Sequence, residues 1–293
     1  MTVGYGPLLR RDGPYPSGRS NTLLDIAQVV TDDDAHWMNG VALQSYSPSP
    51  GWGFDPCGEG SNAIKPAGLP VSTPEFGPVQ IGWSETCTAR VVGPDPEVWY
   101  TQRAIIGLSA TEEAQIETTL MTGGAVPGNP HLTDGNLVQL NSGGATDPVE
   151  GMALLEEEIG ATKKGGVIHA APATIAYWDY YKLIHEPGKQ GLLYTKSGTP
   201  VVDGYGYIGA YPDGGSAPSA SEDWAFATGP IKIWREPAIT LLPEFYFQAL
   251  DRSTNTVTYR AERTYVITFD SDTTSGANPP LQVGVLIDRS IDP

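Results

Sequence analysis

Hydrophobic positions along this chain change their period several times, and each change marks an element. In DPEVWYTQRAIIGLSATEEAQIETTLMTGG, residues Val98, Ile105, Leu108, Ile116 and Leu120 fall near one helical face. Asp95 stands as cap, Pro96 occupies the first helical position, and Gly123-Gly124 stops the run. Ser109 and Glu112 also match a capping box, so a break near Gly107 with a restart is open. A second helix begins at Asp147, Pro148 and Glu150 and carries the stripe Val149, Met152, Leu155 and Ile159. Lys163 and Lys164 suit its dipole, and Gly165-Gly166 ends it. A third helix, PATIAYWDYYKLIHE, buries Ile175, Trp178 and Tyr181 and ends at Pro187-Gly188.

Period-2 alternation takes over after Leu192. LLYT, PVVDGY, WAFATGPIKIW, VTYRAERTYVITF and LQVGVLI are expected strands, with GVIHA a further one between the second and third helices. The polar loop AYPDGGSAPSASED interrupts them and should project into solvent or over a symmetry axis.

The first part of the chain is less regular. Residues 1–20, with Arg10, Arg11 and Arg19 among Gly and Pro, read as an extended arm or a frayed terminus. SNTLLDIAQVV follows as a short helix capped by Ser20 or Asn21, carrying Leu23, Leu24, Ile26 and Val30. VALQSY is expected to pair with PVQIGWSETCTARVV across a long Gly/Pro-rich excursion. That excursion holds Trp52 and Phe54, apolar groups that a solvated loop does not keep exposed.

Composition narrows the function classes. The 293 residues include Gly 35 and Pro 26, hence many turns, yet hydrophobic residues are 40% and suffice for a core. The net charge of -17 disfavours a nucleic-acid reader, which needs clustered Lys and Arg. It suits a lining that repels packaged DNA. No run of about 18 apolar residues spans a membrane. Cys57 and Cys87 lack CxxC partners, and His36, His131, His169 and His185 are scattered, so no metal or other cofactor is expected. The start MTVGYGPLLRR has no signal-peptide core, which fits a cytosolic product with reduced thiols.

Candidate chemistry is thin. GYGYIGA matches a dinucleotide turn only loosely, and no Walker loop or GxSxG elbow occurs. His169 reads as a hydrogen-bonded strand-end histidine, and Glu156-Glu157-Glu158 as a solvated helix face. No catalytic residue is assigned.

The stretches ALLEEEIGATKKGGVIHA, LLYTKSGTPVVDGYGYIG, WAFATGPIKIW and DRSTNTVTYRAERTYVITF resemble capsid proteins of actinobacterial phages. The element order also resembles the major capsid proteins of tailed phages with the Hong Kong 97-type fold. That resemblance implies an α+β chain with an N-terminal arm at 1–35 and an extended loop (E-loop) region at 36–85. A P domain would hold the spine helix at 86–165 and long return strands at 251–293, and an A domain would span 166–250. It further implies hexamers and pentamers of this chain forming an icosahedral head around phage dsDNA, without sequence-specific binding. Portal, scaffold and decoration proteins would be partners, with assembly in the host cytoplasm and the virion as final location. Arg10, Arg11, Trp52, Phe54, Lys65 and Phe76 are the inter-subunit contacts it points to, and Lys65 with Asn255 a crosslink pair of the kind some members form. An encapsulin-type shell, a tail or decoration protein, and an acidic soluble hydrolase stand as alternatives.

Overall fold

A computed structural model describes residues 20–31, 35–43, 74–88, 96–162, 165–188, 191–237, 239–241, 250–251, 253, 256–270 and 281–291. The chain opens with one helical turn, α1 (Leu23–Ile26), whose Thr22 N–H donates to the Asp25 carboxylate at 2.9 Å. The predicted helix stops there. Val29 and Val30 continue as strand β1 (Gln28–Thr31), since β-branched residues favour a pleated surface.

Next come β2 (Val41–Ala42), β3 (Glu75–Phe76) and β4 (Val79–Thr88). β2 pairs with β3, and the Leu43 N–H donates to Pro74 O at 3.0 Å, so the chain leaves and re-enters at one place around residues 44–73. The expected pairing of VALQSY with PVQIGWSETCTARVV is replaced, for the described Val41 and Ala42, by pairing with Phe76 and Glu75, and residues 44–46 of VALQSY lie outside the described residues. β4 instead runs antiparallel to a strand far along the chain, as described below.

Helix α2 (Pro96–Thr122) starts at the predicted proline, and Gly123 and Gly124, at φ +74 and +66, end it. It is unbroken at Gly107. There a Cβ would lie 2.3 Å from the Trp83 indole, so this glycine is a notch for a ring rather than a helix stop. Glu112 does not cap a restarted helix either. It is buried and its Oε1 accepts from Arg263 Nη1 at 2.9 Å.

Two short strands, β5 (Val138–Gln139) and β6 (Ala145–Thr146), precede α3 (Pro148–Thr162). Asp147 caps α3 as expected, its Oδ1 accepting the N–H groups of Val149 and Glu150. Strand β7 (Val167–Ala170) leads into α4 (Pro172–Tyr180). α4 is shorter than predicted. Lys182 at φ +58 reverses the chain, and the remaining apolar residues form β8 (Ile184–His185).

β9 (Leu193–Thr195), β10 (Pro200–Asp203) and a 3-10 turn at Tyr205–Tyr207 follow. The predicted strand WAFATGPIKIW is two strands, β11 (Glu222–Thr228) and β12 (Ile231–Arg235), in different sheets. Gly229 makes the switch possible, because a Cβ there would lie 2.6 Å from Asp270 O. β13 (Thr240–Leu241), β14 (Leu250–Asp251), β15 (Thr256–Phe269) and β16 (Gln282–Asp288) complete the chain.

Among the described residues the strands form two main sheets. One has six strands built on β15, with the path β1-β12-β15-β13; β14 and β4 also pair with β15. β4 and β15 are in register from Val79 opposite Tyr265 to Thr88 opposite Thr256. The other sheet has eight strands, in the order β5-β16-β11-β7-β10-β9-β8, with β6 also on β16. β12, within 166–250, joins the first sheet, and β16, within 251–293, joins the second.

Strand alternation places a core on each face of the eight-stranded sheet. Trp224, Phe226, Val167 and Val202 join Ile116 and Leu120 of α2 and the inner residues of the six-stranded sheet. Ala225, Ala227, Ile168, Val283, Val285 and Ile287 join Met152, Leu155 and Ile159 of α3 and Trp178 of α4. No helix among the described residues is long and apolar enough to cross a membrane.

Candidate assembly surfaces

Chemistry-bearing side chains converge at one buried point, where α2, β7, β11 and the 205–207 turn meet. His169 Nδ1 lies 3.0 Å from Tyr207 Oη, and its Nε2 lies 2.9 Å from Thr228 Oγ1. Glu117 Oε2 accepts the Gly206 N–H at 3.0 Å. Burial holds His169 down to about 3, so the ring is neutral, and burial followed by the Glu117 charge pushes Tyr207 well above its ordinary value. All four side chains are buried, so no substrate reaches them. The GYGYIGA glycines serve packing here. A Cβ on Gly206 would lie 2.6 Å from Thr118 N, and one on Gly204 would lie 2.5 Å from Glu117 Oε2. The cluster fastens the eight-stranded sheet to α2.

The outward surfaces have a different character. Trp99, Arg103 and Gly107 recur every four residues on α2, so they share a face. Trp83 of β4 sits over the Gly107 notch and its Nε1 donates to Glu85 Oε1 at 3.0 Å. Arg103 lies 3.5 Å from the Glu85 carboxylate and stacks over the Trp99 ring at 4.8 Å. Behind them Tyr100 stacks on Tyr259 of β15 with centroids 5.6 Å apart. The result is a ridge of two partly exposed indoles with an ion pair between them. A second apolar surface follows β10, where Tyr205 is 53% exposed and Ile208 62%. Rigid seating of Gly206 and Tyr207 holds these two side chains outward.

Of the contact residues read from sequence, Arg10, Arg11, Trp52, Phe54 and Lys65 lie outside the described residues, as does Asn255. Phe76 is corrected. It is 1% exposed, and its ring packs edge-on to Phe269 at 5.5 Å, so the chain's own core uses it. The sequence reading missed Trp83 and Trp99. Trp99 stands just inside a helix start and Trp83 in an alternating strand, and a helix-face plot cannot show that Gly107 receives an indole from another element.

No protein-family model matches the sequence, and no curated protein does either. Solved structures do match. The capsid of Helicobacter pylori bacteriophage KHP30 is 7% identical, with TM-score 0.55 over 99% of this chain and 97% of that one. The capsid of an empty GTA particle is 11% identical, with TM-score 0.53 over 99% and 96%. The chain has the phage major capsid protein fold. That capsid fold also occurs in the SrpI encapsulin from Synechococcus elongatus PCC 7942, 11% identical, with TM-score 0.50 over 96% of this chain and 92% of that one. Among the described residues, the ridge on α2 and β4 and the Tyr205–Ile208 turn are two of the exposed apolar surfaces; Tyr180, 74% exposed at the end of α4, is another.

Proposed function

We propose that this protein is the major capsid subunit of a tailed phage, assembling into hexamers and pentamers that close an icosahedral head around dsDNA in the host cytoplasm. The whole-chain likeness to capsid subunits carries this reading, because it extends from the first turns to the last strand. In Hong Kong 97-type terms, residues 1–35 are the arm and 36–85 the E-loop region, opening at the β2–β3 pair. The P domain takes residues 86–165, with the spine helix α2, together with the return strands of 251–293, and the A domain takes 166–250. Many modest contacts sum to a stable shell because each subunit is held by several neighbours at once. The net charge of -17 keeps the lining from trapping the genome. Portal, scaffold and decoration proteins are the further partners of this role.

Negative-stain electron microscopy of the purified protein after size-exclusion chromatography tests it. Shells, capsomers or sheets eluting near the void are expected. A discrete monomer or dimer that persists when a scaffold protein is co-expressed would overturn the reading. An encapsulin-type shell is the second reading, favoured by the likeness to SrpI. The contents separate the two: nucleic acid inside the particles speaks for a phage head, and a packaged enzyme for an encapsulin. Covalent ladders on a denaturing gel of those particles that collapse to a single band in Lys65→Arg would support the Lys65–Asn255 crosslink, and a single band in the parent would exclude it.

A further inference from the structure

We propose that His131 is a charge-operated clasp fastening the 209–215 loop to the end of α2. Both ring nitrogens face oxygens that can only accept. Nδ1 is 3.0 Å from the Asn129 carbonyl, and Nε2 is 3.0 Å from Asp213 Oδ2. A neutral imidazole has one N–H and one lone pair, so it can satisfy only one of these neighbours. Only the imidazolium, with an N–H on each nitrogen, satisfies both.

A second feature favours a cation at this place. The ring lies against Gly123, where an added Cβ would be 3.1 Å from Nδ1, immediately beyond the C-terminus of α2. A helix C-terminus carries partial negative charge, and the last turn of α2 has no basic residue of its own. His131 therefore supplies the missing positive charge from the following loop. The charged groups around it are Asp213 from the facing loop and Asp134 from its own. Asp134 accepts the His131 backbone N–H at 3.4 Å and Gln282 Nε2 at 2.8 Å. β16 contributes the neutral Gln282, which also donates to His131 O.

What the clasp holds is specific. The Asp213 N–H donates to Thr133 O at 2.8 Å, and Thr133 Oγ1 lies 3.3 Å from Asp213 Oδ1. The imidazolium is the cationic member of this set of contacts, facing the Asp213 carboxylate. When it loses a proton, a lone pair on one nitrogen opposes an oxygen, and the contact with the more exposed partner, Asp213, gives way first. The loop from Gly209 onward then loosens from the 131–133 segment that follows α2. This clasp belongs to a single subunit, so it holds or fails independently of shell formation.

The test uses the isolated full-length protein. Long-range proton–nitrogen NMR of the imidazole rings reports how many N–H groups His131 carries, while hydrogen exchange reports the 209–215 loop. Two N–H groups are expected wherever the loop is protected. Raising the pH until one proton is lost should speed exchange there roughly 10-fold after correction for intrinsic rates. In Asp213→Asn and His131→Gln, exchange should be fast and free of this pH dependence. A singly protonated ring facing a protected loop, or a pH dependence that survives in Asp213→Asn, would overturn the proposal.

Discussion

Gly206 and His169 show how single residues set the seam between the eight-stranded sheet and α2. The Gly206 Cα lies so close to α2 that an added methyl would meet the Thr118 backbone, which cannot rotate away. Gly206→Ala should therefore destabilise the fold by about 2 kcal/mol, read from urea unfolding, because overpacking displaces whole elements. A cost near zero would mean that the 205–207 turn is not held against the helix. His169 gives the seam an acid sensitivity. The unfolded chain takes up a proton near 6.5 that the folded chain refuses until about 3, so stability falls as pH drops through that window. The full effect is on the order of 5 kcal/mol, and His169→Gln should remove one proton from the measured slope of stability against pH. The sequence already marked His169 as a satisfied strand-end residue. It could not name Tyr207 and Thr228 as its partners, because hydrogen bonds across 38 and 59 residues are set by strand order.

Elements were legible where local chemistry settles them. Pro96 and Gly123-Gly124 bound α2, Asp147 caps α3, and alternation marks β15, because capping and periodicity act within a few residues. Pairings were not legible. β4 was expected to return to its neighbour and instead pairs with β15, where Ile81, Ala261 and Tyr265 gain a face to bury. Glu112 misled for the same reason: its spacing from Ser109 fits a local cap, while its carboxylate faces Arg263 on β15. That pair, with side chains 10% and 13% exposed, ties α2 to the six-stranded sheet. Glu112→Ala should cost about 3 kcal/mol by leaving a cation buried without its partner, and joint replacement of both residues by apolar ones should recover most of it. A double-mutant cycle by urea unfolding measures this. Additive costs would show that the two residues act independently.

At the scale of the molecule, the proposed assembly role can be tested apart from folding by removing residues 44–73. The base of that segment is closed by the β2–β3 pair and the Leu43–Pro74 hydrogen bond, so the chain can be rejoined there by a short turn. That variant should unfold within a few degrees of the parent by calorimetry, yet elute as subunits rather than shells. Assembly that persists would remove Trp52 and Phe54 from the contact set. The sequence by itself determined where the helices start, most strands and the acidic balance, because these follow from local period, capping and charge, and it carried the family resemblance in stretches such as WAFATGPIKIW. Tertiary structure decided which strands pair, that Gly107 is a notch for Trp83, that Phe76 belongs to the core, and that His131 meets Asp213. Each of those depends on two segments far apart in sequence becoming neighbours, and burial of the two cores brings them together.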